Sequence, residues 1–169
     1  MRARGRAAPL DSVDRQIVAA LQQDGRRPFT RIARDLGISE AAVRQRVARL
    51  ERAGVMQVVA VADPITCGFK TMAMLAVRVE PRVHAEVVEA LRQLPEVAYL
   101  VVTAGQFDLL AEVICEDNDH LLRLLSEELA ALDGVSEIRP FVYLRLVKEA
   151  YTWSLGGSDE PAAPAAPAS

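Results

Sequence analysis

The chain reads as an α+β protein built from a short three-helix unit followed by a tandem βαβ–βαβ unit. Three observations carry this reading. Residues 10–54 hold three apolar stripes of helical period, each bounded by capping or turn residues. Residues 70–150 hold strand–helix–strand twice, and each copy turns into its last strand through a similar step, Leu94-Pro95-Glu96-Val97 and Leu132-Asp133-Gly134-Val135. Two such units in tandem make the ferredoxin-like βαββαβ arrangement, with both helices on one face of an antiparallel sheet. Charge divides at the same place: residues 1–62 carry 12 basic and 6 acidic side chains and residues 63–169 carry 8 and 17, within a net charge of −3. The basic part can collect phosphate charge, whereas the acidic part is not suited to lie along DNA.

A length of 169 residues and a hydrophobic fraction of 51% are those of a globular protein with one large or two small domains. Cys67 and Cys115 are far apart and form no CxxC, so neither a disulfide framework nor a zinc site is indicated; buried free thiols in a reducing compartment are expected. No apolar run reaches membrane-spanning length, and the opening MRARGRAAP lacks the hydrophobic centre of a signal peptide. A cytoplasmic protein without a membrane partner is the expectation.

Residues 1–9 form a basic arm with Arg2, Arg4 and Arg6, expected to be mobile more than bound to phosphate. A first helix starts at the cap Asp11, carries Val13, Ile17 and Leu21, and stops at Gly25. After Arg-Arg-Pro-Phe, Thr30 is expected to cap a short helix with Ile32, Ala33 and Leu36, ended by Gly37 with Ile38 pointing back to the core. Ser39 then caps a longer helix that Gly54 closes; Ala42 at its third position rules out a reciprocal capping box. Val43, Val47 and Leu50 share its apolar face, while Ala41, Arg44, Gln45, Ala48, Arg49 and Arg52 occupy the other side.

Alone, this would be an amphipathic helix with a solvated basic face. Two helices before it and the tight turn 37–39 make the pattern a helix-turn-helix, whose last helix enters the major groove of double-stranded DNA. Arg can there pair bidentately with guanine and Gln with adenine. Arg44, Gln45 and Arg49 are therefore expected at base edges or nearby phosphates, with Ser39, Glu40 and Arg52 at the rim; Arg46, beside the apolar face, is expected to support the fold or reach a phosphate.

Residues 55–69 begin β-branched and contain Asp63-Pro64, reading as a linker strand and hinge. In the unit of residues 70–150, strands are expected at 72–79, 97–104, 107–115 and near 135–147. Helical stripes are Val83, Val87, Val88, Leu91 and Leu94, then Leu121, Leu122, Leu125, Leu129 and Leu132. With both helices on one side, the other sheet face, including Met72, Met74 and Val101, needs cover, and a second copy is the economical one. Pro140 suggests an edge strand or a bulge. Asp117, Asn118 and Asp119 precede a Leu-rich helix and suit capping better than metal binding, so no metal site is assigned. In residues 151–169, Tyr151, Trp153 and Leu155 alternate as a docking or edge segment, and a Pro/Ala-rich tail reads as disordered.

The chain resembles the Lrp/AsnC family of transcriptional regulators from about Leu10 to Lys148. The residues that carry the resemblance are Leu10-Asp11-Ser12-Val13-Asp14, Arg31-Ile32-Ala33, Leu36-Gly37-Ile38-Ser39, and the run from Val43 to Glu51 with Gly54-Val55. Leu94-Pro95-Glu96-Val97, Gly105-Gln106-Phe107-Asp108 and Gly134-Val135 follow in order. The resemblance implies a winged helix-turn-helix DNA-binding domain, a linker strand, and a ligand-sensing domain that dimerises through its sheet and assembles into higher homo-oligomers. It also implies a small-molecule effector, an amino acid or related metabolite, near Thr103, Ala104, Gly105, Gln106, Phe107 and Asp108, and no cofactor. Gly105 allows close backbone approach, free N–H groups can take a carboxylate, and Asp108 can take an ammonium. The sequence departs from the family in having Phe107 where Tyr is common, and Ile138-Arg139-Pro140-Phe141 where Ser and Thr are frequent.

Two alternatives use the same residues. One is an architectural DNA-binding protein without ligand control. The other is an enzyme like the sirohaem-pathway decarboxylases of this fold, which the scarcity of proton donors (His84 and His120) and the acidic charge of the second unit oppose.

Overall fold

A computed structural model describes residues 9–150. The arginines of the N-terminal arm and the segment with Tyr151, Trp153, Leu155 and the tail lie outside the described residues. The described residues divide into two compact units, one running to Ala60 and including 148–150, the other Val61–Val147.

In the first unit, α1 (Ser12–Gln23) starts at a capping box: the Asp11 carboxylate accepts the Asp14 N–H at 2.7 Å, and the Asp14 carboxylate accepts that of Asp11 at 3.3 Å. Helix α2 (Phe29–Leu36) begins at Pro28 and not at Thr30. Pro28, at φ −58° and ψ 134°, is extended and leads directly into the helix, so Thr30 falls inside the first turn, where its side chain cannot cap. Gly37 ends α2 at φ 66°, and Ser39 opens α3 (Glu40–Arg52) by accepting the Ala42 N–H at 3.2 Å. The end of α3 is closed by N–H bonds from Gly54 to Glu51 (3.0 Å) and from Val55 to Leu50 (2.9 Å), a closure that needs the left-handed Gly54, φ 68°. Val43, Val47 and Leu50 are buried as the periodicity requires, and Val43 and Val47 pack with Ile17, Leu21, Ile32 and Ala33.

The linker strand expected at 55–69 is not formed: among the described residues no strand occurs between α3 and β1. β-branched side chains favour an extended chain, but a strand also needs a hydrogen-bonding neighbour. Val58, Val59 and Val61 are instead exposed, and the segment ends in a turn in which Asp63 accepts from Ile65 N–H and Thr66 Oγ1.

The second unit is a four-stranded antiparallel sheet ordered β2-β3-β1-β4, from β1 (Thr71–Val79), β2 (Val97–Val102), β3 (Leu109–Cys115) and β4 (Val135–Val142). The period of two sorts β1 and β3, with the one exception of Ala76, which is buried although it lies on the other face. Ala73, Leu75, Val77, Leu109, Ala111 and Val113 pack in one core with Val87 and Leu91 of α4 (His84–Gln93) and with Leu121 of α5 (Asn118–Arg123). Met72, Met74, Leu110, Glu112 and Ile114 are only partly buried, on the face away from the helices, where Val101 lies opposite Leu110 and Phe141 opposite Met74. Pro140 sits on β4, an edge strand, as its missing donor requires.

One stripe differs from expectation. Helix α5 continues as a π-helical turn over Leu124–Leu129, whose wider winding shifts the register, so Leu124 is buried and Leu122 is 62% exposed. Asp117 caps α5 by accepting the His120 N–H at 2.8 Å. Both cysteines are free; Cys115 is buried, and burial pushes its thiol up, but Cys67 is exposed, contrary to the expectation of two buried thiols.

Gly134 joins the last connection to the core. At φ 82°, a Cβ on it would stand 2.0 Å from Val83 Cγ2, and its carbonyl accepts the Glu80 N–H at 2.8 Å. Gly134→Ala is expected to lower unfolding free energy by about 2–4 kcal/mol through the left-handed backbone and the overlap. Chemical denaturation of the two proteins measures this.

Candidate nucleic-acid interface and effector loop

Helix α3 turns Val43, Val47 and Leu50 inward, which leaves Ala41, Arg44, Gln45, Ala48 and Arg52 exposed. The Arg44 guanidinium lies 5.4 Å from the Phe29 ring centroid and 2.6 Å from Glu40 Oε1, so it is held upright on the helix surface by an i,i+4 ion pair and an aromatic plane. Gln45 is beside it, at the edge of a cleft of about 370 Å³ lined also by Pro9, Asp11, Asp14, Arg46 and Arg49. Arg52 turns its Nε back to the Ala48 carbonyl at 3.1 Å, and Ser39 is occupied as the cap. Small alanines among projecting polar side chains give this face the shape that a major groove admits.

Arg49 is placed differently from its expected role. Its Nη2 donates to both carboxylate oxygens of Asp14, each at 2.6 Å, while Arg46 Nη1 donates to Asp14 at 2.8 Å and to Asp11 at 2.6 Å. Asp14 is 1% exposed. Burial pushes its carboxyl up, but the bonds from Arg49 and Arg46 and from the Asp11 N–H outweigh that and hold it below the usual carboxylate range. Asp11 is lowered too, chiefly by the Asp14 N–H and by Arg46. Arg46 is thus a support, as its flanking position suggests, and Arg49 shares that work.

In the second unit, residues 103–108 join β2 to β3. Thr103 closes the loop, its Oγ1 donating to the Phe107 carbonyl at 2.6 Å and its N–H to that of Asp108 at 2.8 Å. Ala104, Gly105 and Gln106 are exposed, with Gly105 at φ 151°. Asp108 is drawn to the sheet: its carboxylate accepts the Val79 N–H at 2.8 Å, and its own N–H donates to the Val77 carbonyl at 3.0 Å. Two guanidiniums lie over the Phe107 ring, Arg78 at 5.6 Å and Arg139 at 5.4 Å from its centroid. Arg78 also donates to the Gln106 carbonyl at 3.0 Å, and both arginines approach one carboxylate, Glu137, at 3.5 and 2.6 Å.

The family comparisons agree with this layout. Residues 10–51 match the AsnC-type helix-turn-helix domain, and residues 72–153 match the Lrp/AsnC ligand binding domain. The chain belongs to the Lrp/AsnC family. An uncharacterized HTH-type transcriptional regulator of Pyrococcus abyssi is 35% identical over 88% of this chain and 95% of its own length. HTH-type transcriptional regulator LrpA of Pyrococcus horikoshii is 32% identical over 82% and 99%. Among solved structures, the leucine response regulatory protein of Mycobacterium tuberculosis aligns at a TM-score of 0.77 and 26% identity, covering 86% of this chain and 99% of that one. A regulator of Neisseria meningitidis, solved as its L-Met complex, shares the fold at a TM-score of 0.76 and 22% identity, covering 88% and 97%.

As an Lrp/AsnC member, the chain is a DNA-binding transcriptional regulator with a helix-turn-helix unit and a ligand-binding-type domain. Among the described residues no helix is long and apolar enough to cross a membrane, and no cluster of three metal-ligating side chains occurs. Sequence reasoning missed Asp14, Phe29, Arg78 and Arg139. Asp14 did leave a signal: it lies at helical spacing with Ile17, Val18 and Leu21, so a carboxylate stands on the buried stripe and must be paired. The other three meet their partners only through tertiary structure.

The Asp14 pairing predicts acid sensitivity. Its folded pKa is below its unfolded one, so the stabilisation is complete above about pH 5 and is lost as pH falls through and below about 4. Denaturation at successive pH values is expected to show the helix-turn-helix unit losing stability in that window, and Asp14→Asn to flatten the dependence.

Proposed function

We propose that this regulator works as a homodimer, within a larger homo-oligomer, that reads a pseudo-palindromic operator through two copies of α3. An amino acid or related small metabolite at the loop 103–108 would tune that binding. The observation that carries the reading is the outer face of α3, where Arg44 and Gln45 stand exposed between alanines and Arg44 is pre-oriented by Phe29 and Glu40. Arg44 and Gln45 read bases, with Ser39, Glu40 and Arg52 at the rim. Two-fold symmetry places the recognition helices about one DNA turn, or a small multiple of it, apart.

Support for the dimer comes from the helix-free sheet face, which leaves Tyr99 and Phe141 54% and 56% exposed beside Met72, Met74 and Leu110. Support for an effector comes from the exposed backbone of residues 104–106 beside Arg78 and Arg139, two cations facing the single carboxylate Glu137. The Neisseria regulator's complex with L-Met supports an amino acid as the ligand class. The carboxylate of the effector would meet the loop amides and guanidinium edges.

Arg44→Ala is expected to weaken operator binding by about 1–3 kcal/mol and to relax preference at one base position. Operator selection followed by titration of both proteins tests this; unchanged affinity and preference overturn the role, and uniform footprinting would favour an architectural protein. For the sensor, a screen of common amino acids is expected to find one that raises the melting temperature or changes oligomer size, an effect that Arg139→Gln reduces. No response across the screen removes the effector reading.

A further inference from the structure

Four arginines project from α3, and their partners divide them. Arg44 is matched by Glu40 on the same helix, and Arg52 turns to a backbone carbonyl. Arg46 and Arg49, one turn apart, both reach across to the start of α1, where the carboxylates of Asp14 and Asp11 cancel their charge. Asp14 accepts three guanidinium hydrogen bonds of 2.6–2.8 Å and one from the Asp11 N–H. Those donors are the ones a DNA phosphate would engage. The Arg49 side chain is nevertheless 43% exposed and borders the cleft that also exposes Gln45, so burial does not confine it; the carboxylate does.

We infer that Asp14 is a positioning residue for DNA reading, which withdraws Arg46 and Arg49 from phosphate, fixes the roll of α3, and so leaves sequence discrimination to Arg44 and Gln45. The inference rests on α3 being the DNA-contacting helix. Without Asp14, a freed Arg49 moves out along the cleft and adds a contact to any phosphate backbone. Affinity for DNA in general then rises and discrimination falls, because phosphate contacts carry no sequence information.

The test uses the full chain and a fluorescently labelled random-sequence duplex, titrated over a series of KCl concentrations. Each additional phosphate contact steepens the slope of log K against log salt by about 0.9. Asp14→Asn is expected to bind this duplex more tightly than the wild type, with a slope steeper by about 1–2, and to select a more degenerate operator from a random library. Arg49→Gln alone should keep the wild-type slope, and the double variant D14N/R49Q should lose most of the steepening. The inference is overturned if D14N keeps the wild-type slope, or if R49Q alone makes the slope shallower by about 1, since Arg49 would then already contact phosphate. The R49Q comparison decides the matter even where D14N folds poorly. A wild-type chain that bound no duplex at all would remove both this inference and the role of α3.

Discussion

A carboxylate buried under a helix cannot keep water as its partner, so its charge has to be matched by the chain. Asp14 is such a group, and the guanidiniums that match it, Arg46 and Arg49, belong to α3, the helix proposed to read DNA. Removing one partner of a buried pair leaves an uncompensated charge, a far larger penalty than any exposed ion pair returns. The rotation of α3 about its own axis is therefore fixed twice. Three aliphatic side chains, Val43, Val47 and Leu50, fix it by burial, and two arginines fix it by charge, on adjoining sides of the same helix. Because the two constraints agree, the outer face is defined residue by residue.

The second unit rests on the pleat of β1. Its odd-numbered residues enter the helix-covered core, and its even-numbered residues Met72, Met74, Ala76 and Arg78 line the opposite face. Along that face the chemistry changes. Apolar side chains surround Met72, Met74 and Phe141, with Glu112 among them accepting from the Tyr143 hydroxyl at 2.8 Å, and further charge gathers where Arg78 pairs with Glu137, next to the 103–108 loop. One strand thereby supplies the core, an apolar surface suited to a second copy, and a cationic rim beside the loop.

How much of this was legible in the sequence depends on the range of the interaction concerned. Asp11, Gly37, Ser39 and Gly54 mark helix ends through bonds that span a few residues, and these are found where the sequence puts them. Thr30 misled because Pro28 already supplies the extended backbone that leads into α2. The run at 55–61 misled because β preference needs a neighbour to pair with, and Leu122 because a π-helical turn breaks the 3.6 period. At the candidate sites, residue types were legible and their partners were not. Arg49 meets Asp14 across 35 positions, and Asp108 meets Val79 across 29, distances over which no spacing rule operates.

Asp108 shows what that costs a reading of chemistry from motif alone. As a loop carboxylate beside Gly105 it suits an ammonium group, yet one of its oxygens is bonded to the Val79 N–H, and its backbone is bonded to Val77 on one side and to Thr103 on the other. It ties the loop to the end of β1 before it can serve a ligand. The exposed charge near the loop is instead the pair of guanidiniums over Phe107, Arg78 and Arg139, whose partners are the single carboxylate Glu137 and, for Arg78, the Gln106 carbonyl. A tyrosine at this position would add a hydroxyl; phenylalanine keeps only the plane, and the plane is what the arginines use. On the proposed reading, the anionic end of an effector is thus recognised by this chain's departures from the common family pattern, Phe107 and Arg139 together, more than by the motif residue Asp108.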